Sequence, residues 1–185
     1  MKKLFFTILI FCLGSKISFA CDLTFVNFGD KPDKFLENQF ALPIKDDFNG
    51  ETIIIPSNVV CPNNKSIENT MIEYLFVDNQ LVLITLRRAY VNDTAIMDFT
   101  MNKYGKFNLP KGKSKKDWFG SHTWEIGNNL ILYVRADTEV GPAEVLEISN
   151  VLYLQKLYDW RGKVAEWSES CLLYTSDAAD DRLSV

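Results

Sequence analysis

Two runs of branched and aromatic residues, Thr70 to Val77 and Leu81 to Arg88, are separated only by Asp78-Asn79-Gln80. Asp and Asn tolerate the positive φ of a tight turn, so the runs predict a β-hairpin. Successive side chains on a strand alternate faces. Ile72, Tyr74 and Phe76 then share one face of the first arm. On the second arm Val82, Ile84 and Leu86 share a face, opposite Thr85 and Arg87. Phe119 to Ile126 and Leu130 to Ala136 predict a second hairpin across Gly127-Asn128-Asn129, and Ala143 to Ser149 a further strand after the turn Gly141-Pro142. Thr52 to Ile55 reads as a short buried strand stopped by Pro56, and Leu23 to Phe28 as a strand closed by Gly29.

Helices fill the intervals. Pro32 opens a short helix over Asp33 to Phe40, with Phe35, Leu36 and Phe40 inward. Asn92 or Asp93 caps a helix in which Ile96, Met97, Thr100, Met101 and Tyr104 recur at helical spacing, and Gly105 ends it. From Asn150 onward, Val151, Leu154, Leu157 or Tyr158, and Arg161 suit a capped helix. Leu152 and Leu154 suit a longer strand; length and good helix formers favour the helix. The expected fold class is α+β: a mainly antiparallel sheet of two hairpins plus extra strands, with helices packed on one face.

The two ends differ in texture from this body. Met1-Lys2-Lys3, the apolar run Leu4 to Leu13 and Ser18-Phe19-Ala20 have the layout of a secretory signal peptide cleaved after Ala20. Its apolar core is about ten residues, short of the roughly twenty that span a bilayer, and no later segment is long and apolar enough to do so. An exported protein is expected, in the bacterial periplasm. Cys171 to Asp181 resembles the translation of a transposase-end sequencing adapter, with Arg182 and Leu183 in its variable index and Ser184-Val185 in the fixed bases that follow; the alternative for 171–185 is a disordered acidic tail. On the adapter reading the native sequence departs after about Ser170, which resequencing the locus checks. One globular domain, 21–170, remains.

Within 21–170 the cysteines reduce to Cys21 and Cys61, which an oxidising compartment would pair. The alternative is a lipid anchor on Cys21, although Ser18 and Phe19 depart from the leucine and small residue of a lipoprotein signal. Of 20 Lys and Arg, Lys2, Lys3, Lys16 and Arg182 lie outside this span, leaving 16. Of 24 Asp and Glu, Asp177, Asp180 and Asp181 lie outside, leaving 21 and a net charge of −5. Such a balance argues against a general nucleic-acid binder.

Chemistry-bearing motifs are few. The sequence has no Gly-x-Ser-x-Gly elbow, no His-Glu-x-x-His and no phosphate-binding glycine loop. His122 is the single histidine, and its neighbour Ser121 would point to the opposite strand face, so the two are not a dyad. The carboxylates Asp46-Asp47, Glu144 and Glu147 read as solvated charges. No catalytic residue, metal or cofactor is expected. Lys111-Gly-Lys113-Ser-Lys115-Lys116 is a cationic loop in an acidic domain, followed by Asp117-Trp118-Phe119. Its lysines suit phosphates or carboxylates, and an exposed Trp118 would add a stacking contact; the favoured reading is a flexible lysine-rich hairpin loop with Trp118 and Phe119 rooted in the core.

The hairpin Glu73 to Leu81, the helix ending Asn102-Lys103-Tyr104-Gly105-Lys106, and the strand with Trp124 together resemble a loose set of small exported bacterial α/β proteins without assigned biochemistry. The resemblance covers about Ile72 to Ser149, implies a layered α/β domain, and carries over no catalytic residue. The expected function is a non-enzymatic binding or accessory domain of the cell envelope. Its partner would be an envelope protein or an anionic ligand. The alternative is a small-molecule binder or weak hydrolase with a cavity between helix and sheet, lined by Phe76, Met97, Met101, Tyr104 and Trp124, although those residues suit an ordinary core better.

Overall fold

Seven strands form one antiparallel sheet in the order β1-β2-β3-β4-β7-β6-β5. They are β1 (Leu42–Lys45), β2 (Gly50–Pro56), β3 (Met71–Val77), β4 (Gln80–Ala89), β5 (Gly120–Ile126), β6 (Asn129–Thr138) and β7 (Gly141–Asn150). The helices are α1 (Asp33–Leu36), α2 (Ser57–Val60), α3 (Ala95–Tyr104) and α4 (Leu154–Asp180). The computed structural model describes residues 21–36, 41–68, 70–89 and 92–180. The expected leader, and the part of the expected first helix beyond Leu36, lie outside the described residues.

The sheet is two meanders joined along one seam. β1 to β4 pair in sequence order, as do β5 to β7, and β4 then pairs with β7 from Leu83↔Ser149 to Ala89↔Ala143. Asp78 and Asn79 hold φ of 48° and 59° between β3 and β4. Positive φ at both central residues is the geometry that matches strand twist in a two-residue turn.

The pairing of β3 with β4 shifts register between Leu75 and Phe76: Leu75 faces Leu83, whereas Phe76 faces Leu81. Val82 is therefore an extra residue, a β-bulge. The expected face of Val82, Ile84 and Leu86 is corrected by it. Leu81, Ile84 and Leu86 enter the main core, whereas Val82 and Leu83 turn together to the other face. An unbroken alternation cannot produce that split.

The main core lies on one face, where Ile72, Tyr74, Phe76, Ile131, Leu146 and Ile148 meet Ile96 and Met97 of α3 and Phe35 of α1. Leu23 and Val26 also enter it, but Leu23 to Phe28 is a run of turns and not the strand expected from its alternation. Tyr74 Oη donates to Leu23 O at 3.2 Å, and just after the segment Gly29 N–H donates to Leu81 O at 2.9 Å.

The helices do not all pack on one face. Leu157 of α4 joins Leu75, Val77, Val82 and Leu83 on the opposite side, with Tyr153, Leu154 and Trp160 against them. The bulge explains why, because it gives that side enough apolar area to seat a helix. Burying one leucine is worth about 1.5–3 kcal/mol. Asn150 caps the approach, its side chain accepting from Leu152 N–H at 3.0 Å. Further along, Trp160 Nε1 donates to Asp46 Oδ2 at 2.8 Å. A Cβ on Gly50 would come within 2.4 Å of that indole nitrogen, so only glycine allows so close a crossing.

Candidate functional site

Two regions concentrate polar and aromatic chemistry, one buried and one at the surface. The buried one centres on Glu144, which is fully inaccessible, and Arg135, 2 % exposed. Glu144 lies on β7 and Arg135 on its register partner in β6. The Glu144 carboxylate accepts from Tyr133 Oη at 2.6 Å and from the backbone N–H groups of Ile96 and Met97 at 3.3 and 3.1 Å. It thus serves the N-terminus of α3, where the preceding Thr94 makes no side-chain cap bond. A carboxylate is favoured there by the orphan donors and the helix dipole.

Arg135 Nη1 lies 3.7 Å from Glu144 Oε1 and donates to Asp93 O at 2.9 Å, and its guanidinium sits 5.5 Å from the Phe119 ring centre. Its Nε has no hydrogen-bond partner among the described residues. Burial, followed by the bond to Glu144, pushes the Tyr133 phenol above its ordinary range. The Asp93 carboxylate accepts twice from Arg88, at 2.7 and 3.2 Å, and once from Ala95 N–H. Burial raises its carboxyl; those bonds and the charges of Arg88 and Arg135 outweigh it, leaving Asp93 below the usual carboxylate range.

Glu144 therefore corrects the expectation of a solvated charge. The signal was present in the alternation. Glu144, Leu146 and Ile148 share one face of β7, as Ile131, Tyr133 and Arg135 share one face of β6, and both triplets face the core. Asp46 is structural, accepting from the N–H groups of Phe48 and Gly50 at 2.7 and 2.8 Å. Glu147 is held by Arg161, whose Nη2 donates to both oxygens at 2.9 and 3.0 Å.

Beside this network the segment between α3 and β5 folds over the sheet on aromatic rings. Phe107 lies flat on His122, with centroids 4.5 Å apart and planes at 14°, and also packs against Trp118 and Trp124. His122 meets Trp124 edge-on at 4.4 Å, and Trp124 Nε1 donates to Gly105 O at 3.0 Å. The His122 ring therefore packs among rings, with neither a hydroxyl nor a carboxylate bonded to it among the described residues. No three His, Cys, Asp or Glu side chains among the described residues are grouped to hold a metal ion.

No family model, curated protein or solved structure matches this chain.

The chemistry must then be judged from geometry alone. Trp118 is 8 % exposed and stacks on Tyr133 at 6.1 Å, so it roots the loop and is not the exposed contact that the sequence allowed. Lys111, Lys113, Lys115 and Lys116 are all exposed. Lys115 pairs with Asp98 of α3, and Ser114 Oγ donates to Asp117 across the loop base. Lys116 also borders a cleft of about 540 Å³ with Lys65 and Arg88 on its walls and Asp93 and Asp98 beside them. The residues that a helix–sheet cavity would need are ordinary core, the reading that their sequence favoured: Phe76, Met97 and Met101 are buried in it, and Tyr104 and Trp124 pack against it.

Proposed function

We propose that this chain is an exported, non-enzymatic binding or accessory domain of the cell envelope that engages an anionic partner through its lysine loop. One observation carries the reading. A loop rooted by a buried tryptophan holds Lys111, Lys113 and Lys116 in solvent. A cationic surface held on a rigid base loses little conformational entropy on binding. The Cys21–Cys61 disulfide suits an oxidising compartment such as the periplasm. Among the described residues no helix is long and apolar enough to cross a membrane.

Replacing Lys111, Lys113, Lys115 and Lys116 together by alanine is expected to leave folding nearly intact, since exposed substitutions cost within about 0.5 kcal/mol each. Binding to isolated cell-envelope fractions should fall, and the loss should be largest at low salt. Exposed charges are screened beyond roughly 8–10 Å at physiological ionic strength, so wild-type binding should itself decline as salt is raised. Equal binding by the variant and wild type across a salt series would remove the loop from the function. Hydrolysis abolished by His122→Ala would overturn the non-enzymatic reading.

A further inference from the structure

The sheet has two edges, β1 and β5, and only one of them is guarded. β1 is four residues long and carries Pro43 and Lys45. Shortness, proline and lysine are the devices that keep an edge from pairing with another chain. β5, Gly-Ser-His-Thr-Trp-Glu-Ile, is seven residues long and has none of them. Its register against β6 runs unbroken from Gly120↔Arg135 to Ile126↔Asn129, so no bulge twists it away.

The outer groups of β5 follow from its turn. Ile126 and Asn129 flank the two-residue turn Gly127-Asn128 and so form a hydrogen-bonded pair; alternation then directs the backbone groups of Gly120, His122, Trp124 and Ile126 to β6. Those of Ser121, Thr123 and Glu125 point outward. None of them takes part in a loop or turn hydrogen bond among the described residues. At either end of this edge stand two of the exposed large apolar residues, Phe119 at 43 % and Ile126 at 47 %.

The geometry points to a second copy of this chain as the occupant of that edge, its β5 antiparallel to the first about a two-fold axis at Thr123. Thr123 is the middle residue of the strand, so only this register pairs the whole strand with its copy. Thr123 meets Thr123 of the second copy, Glu125 meets Ser121, Trp124 meets His122 and Ile126 meets Gly120. The outward groups then exchange about six backbone hydrogen bonds, two at each hydrogen-bonded residue pair. Glu125, the only charged residue of the strand, faces a hydroxyl and not its own copy, so no like charges oppose. His122 and Trp124, in contact within one chain, each gain the other's ring across the axis. Ile126 is brought beside Phe119 of the second copy. A self-complementary patch related by a two-fold is the commonest way in which one chain meets itself.

Sedimentation equilibrium of the exported protein, from about 1 µM to 1 mM, should show a monomer passing to a dimer within that range of dissociation constants. Thr123→Lys places two ammonium groups across the axis and should weaken association at least about tenfold, with an unchanged circular dichroism spectrum. Register is read separately in a Cys171→Ser background. Facing residues of a hydrogen-bonded pair have Cα atoms about 5.5 Å apart, within the roughly 4.4–6.8 Å that a disulfide spans. Thr123→Cys should therefore cross-link to a dimer on a non-reducing gel. Ser121→Cys should not link to itself, but should link to Glu125→Cys when the two are mixed. A protein monomeric at every concentration overturns the inference. So does a dimer that survives Thr123→Lys while Thr123→Cys stays unlinked.

Discussion

Glu144→Ala is expected to lower the unfolding free energy by about 3–5 kcal/mol, the scale for removing one member of a buried ion pair. The substitution strands Arg135, which is 2 % exposed and keeps, among the described residues, only the Asp93 carbonyl as a close acceptor. It also releases Tyr133 Oη and leaves the N–H groups of Ile96 and Met97 without their acceptor. Against a total of roughly 5–15 kcal/mol for a domain, that loss brings the variant close to unfolding. Denaturant titration should show the midpoint falling at an unchanged slope. Glu147→Ala is the control, since the partly exposed pair of Glu147 with Arg161 should be worth at most about 1 kcal/mol. Equal losses for the two variants would mean that the Glu144 network is not a stability element. Glu144→Leu combined with Arg135→Met should recover much of the loss, because the remaining groups no longer include a stranded charge.

Removing the Cys21–Cys61 bond is expected to cost about 4 kcal/mol, the chain-entropy value for closing a loop of this length. The two residues are 40 apart in sequence, and their Cα atoms are 5.1 Å apart. Cys21 is held from a second side, where Lys103 Nζ donates to its carbonyl at 2.6 Å and lies 3.6 Å from Asp22. Burial draws the Lys103 ammonium below the usual lysine range, and the Asp22 charge and hydrogen bond restore part of it. Reduction, or Cys61→Ser, should lower the denaturation midpoint and free the segment that carries Leu23 and Val26 into the core. Mass spectrometry of exported, non-reduced protein should give an N-terminus at Cys21 and no free thiol at Cys21 or Cys61. A sulfur bonded to Cys61 leaves no attachment point for a lipid, so a lipidated Cys21 would overturn the pairing.

What could be read in advance was what local chemistry decides. Asp78-Asn79 requires positive φ, Asn150 caps the chain into α4, and Gly105, at φ 110°, ends α3. What escaped needed knowledge of a distant partner. Leu23 to Phe28 alternates like a strand, yet it lies outside the described β-ladders, tied to Tyr74 at Leu23 and held at its flanks by Cys21 to Cys61 and by Gly29 and Asp30 to Leu81. Val82 had to be seen against β3 before it could be recognised as the bulge that splits two apolar faces. Glu144 shared the phase of Leu146 and Ile148, but its role depends on Arg135 and on the start of α3. Of the pair Trp118-Phe119, both read as rooted in the core, only Trp118 is, against Phe107 and Tyr133; Phe119 is 43 % exposed.

The β4–β7 seam sets the order in which such a molecule can assemble. Each meander needs only contacts between strands close in the chain, which form quickly, whereas Leu83 must wait for Ser149 to be made before the halves can meet. Glu144 lies on that seam opposite Arg88 and grips the start of α3, the helix that links the two meanders. Substitutions within a single meander should leave the refolding rate nearly unchanged if docking at the seam limits it, while those at Leu86, Leu146 or Glu144 should slow it. The buried carboxylate would then govern how fast the sheet closes, whereas the seat of α4, built from β3 and β4 alone, is complete before the seam forms.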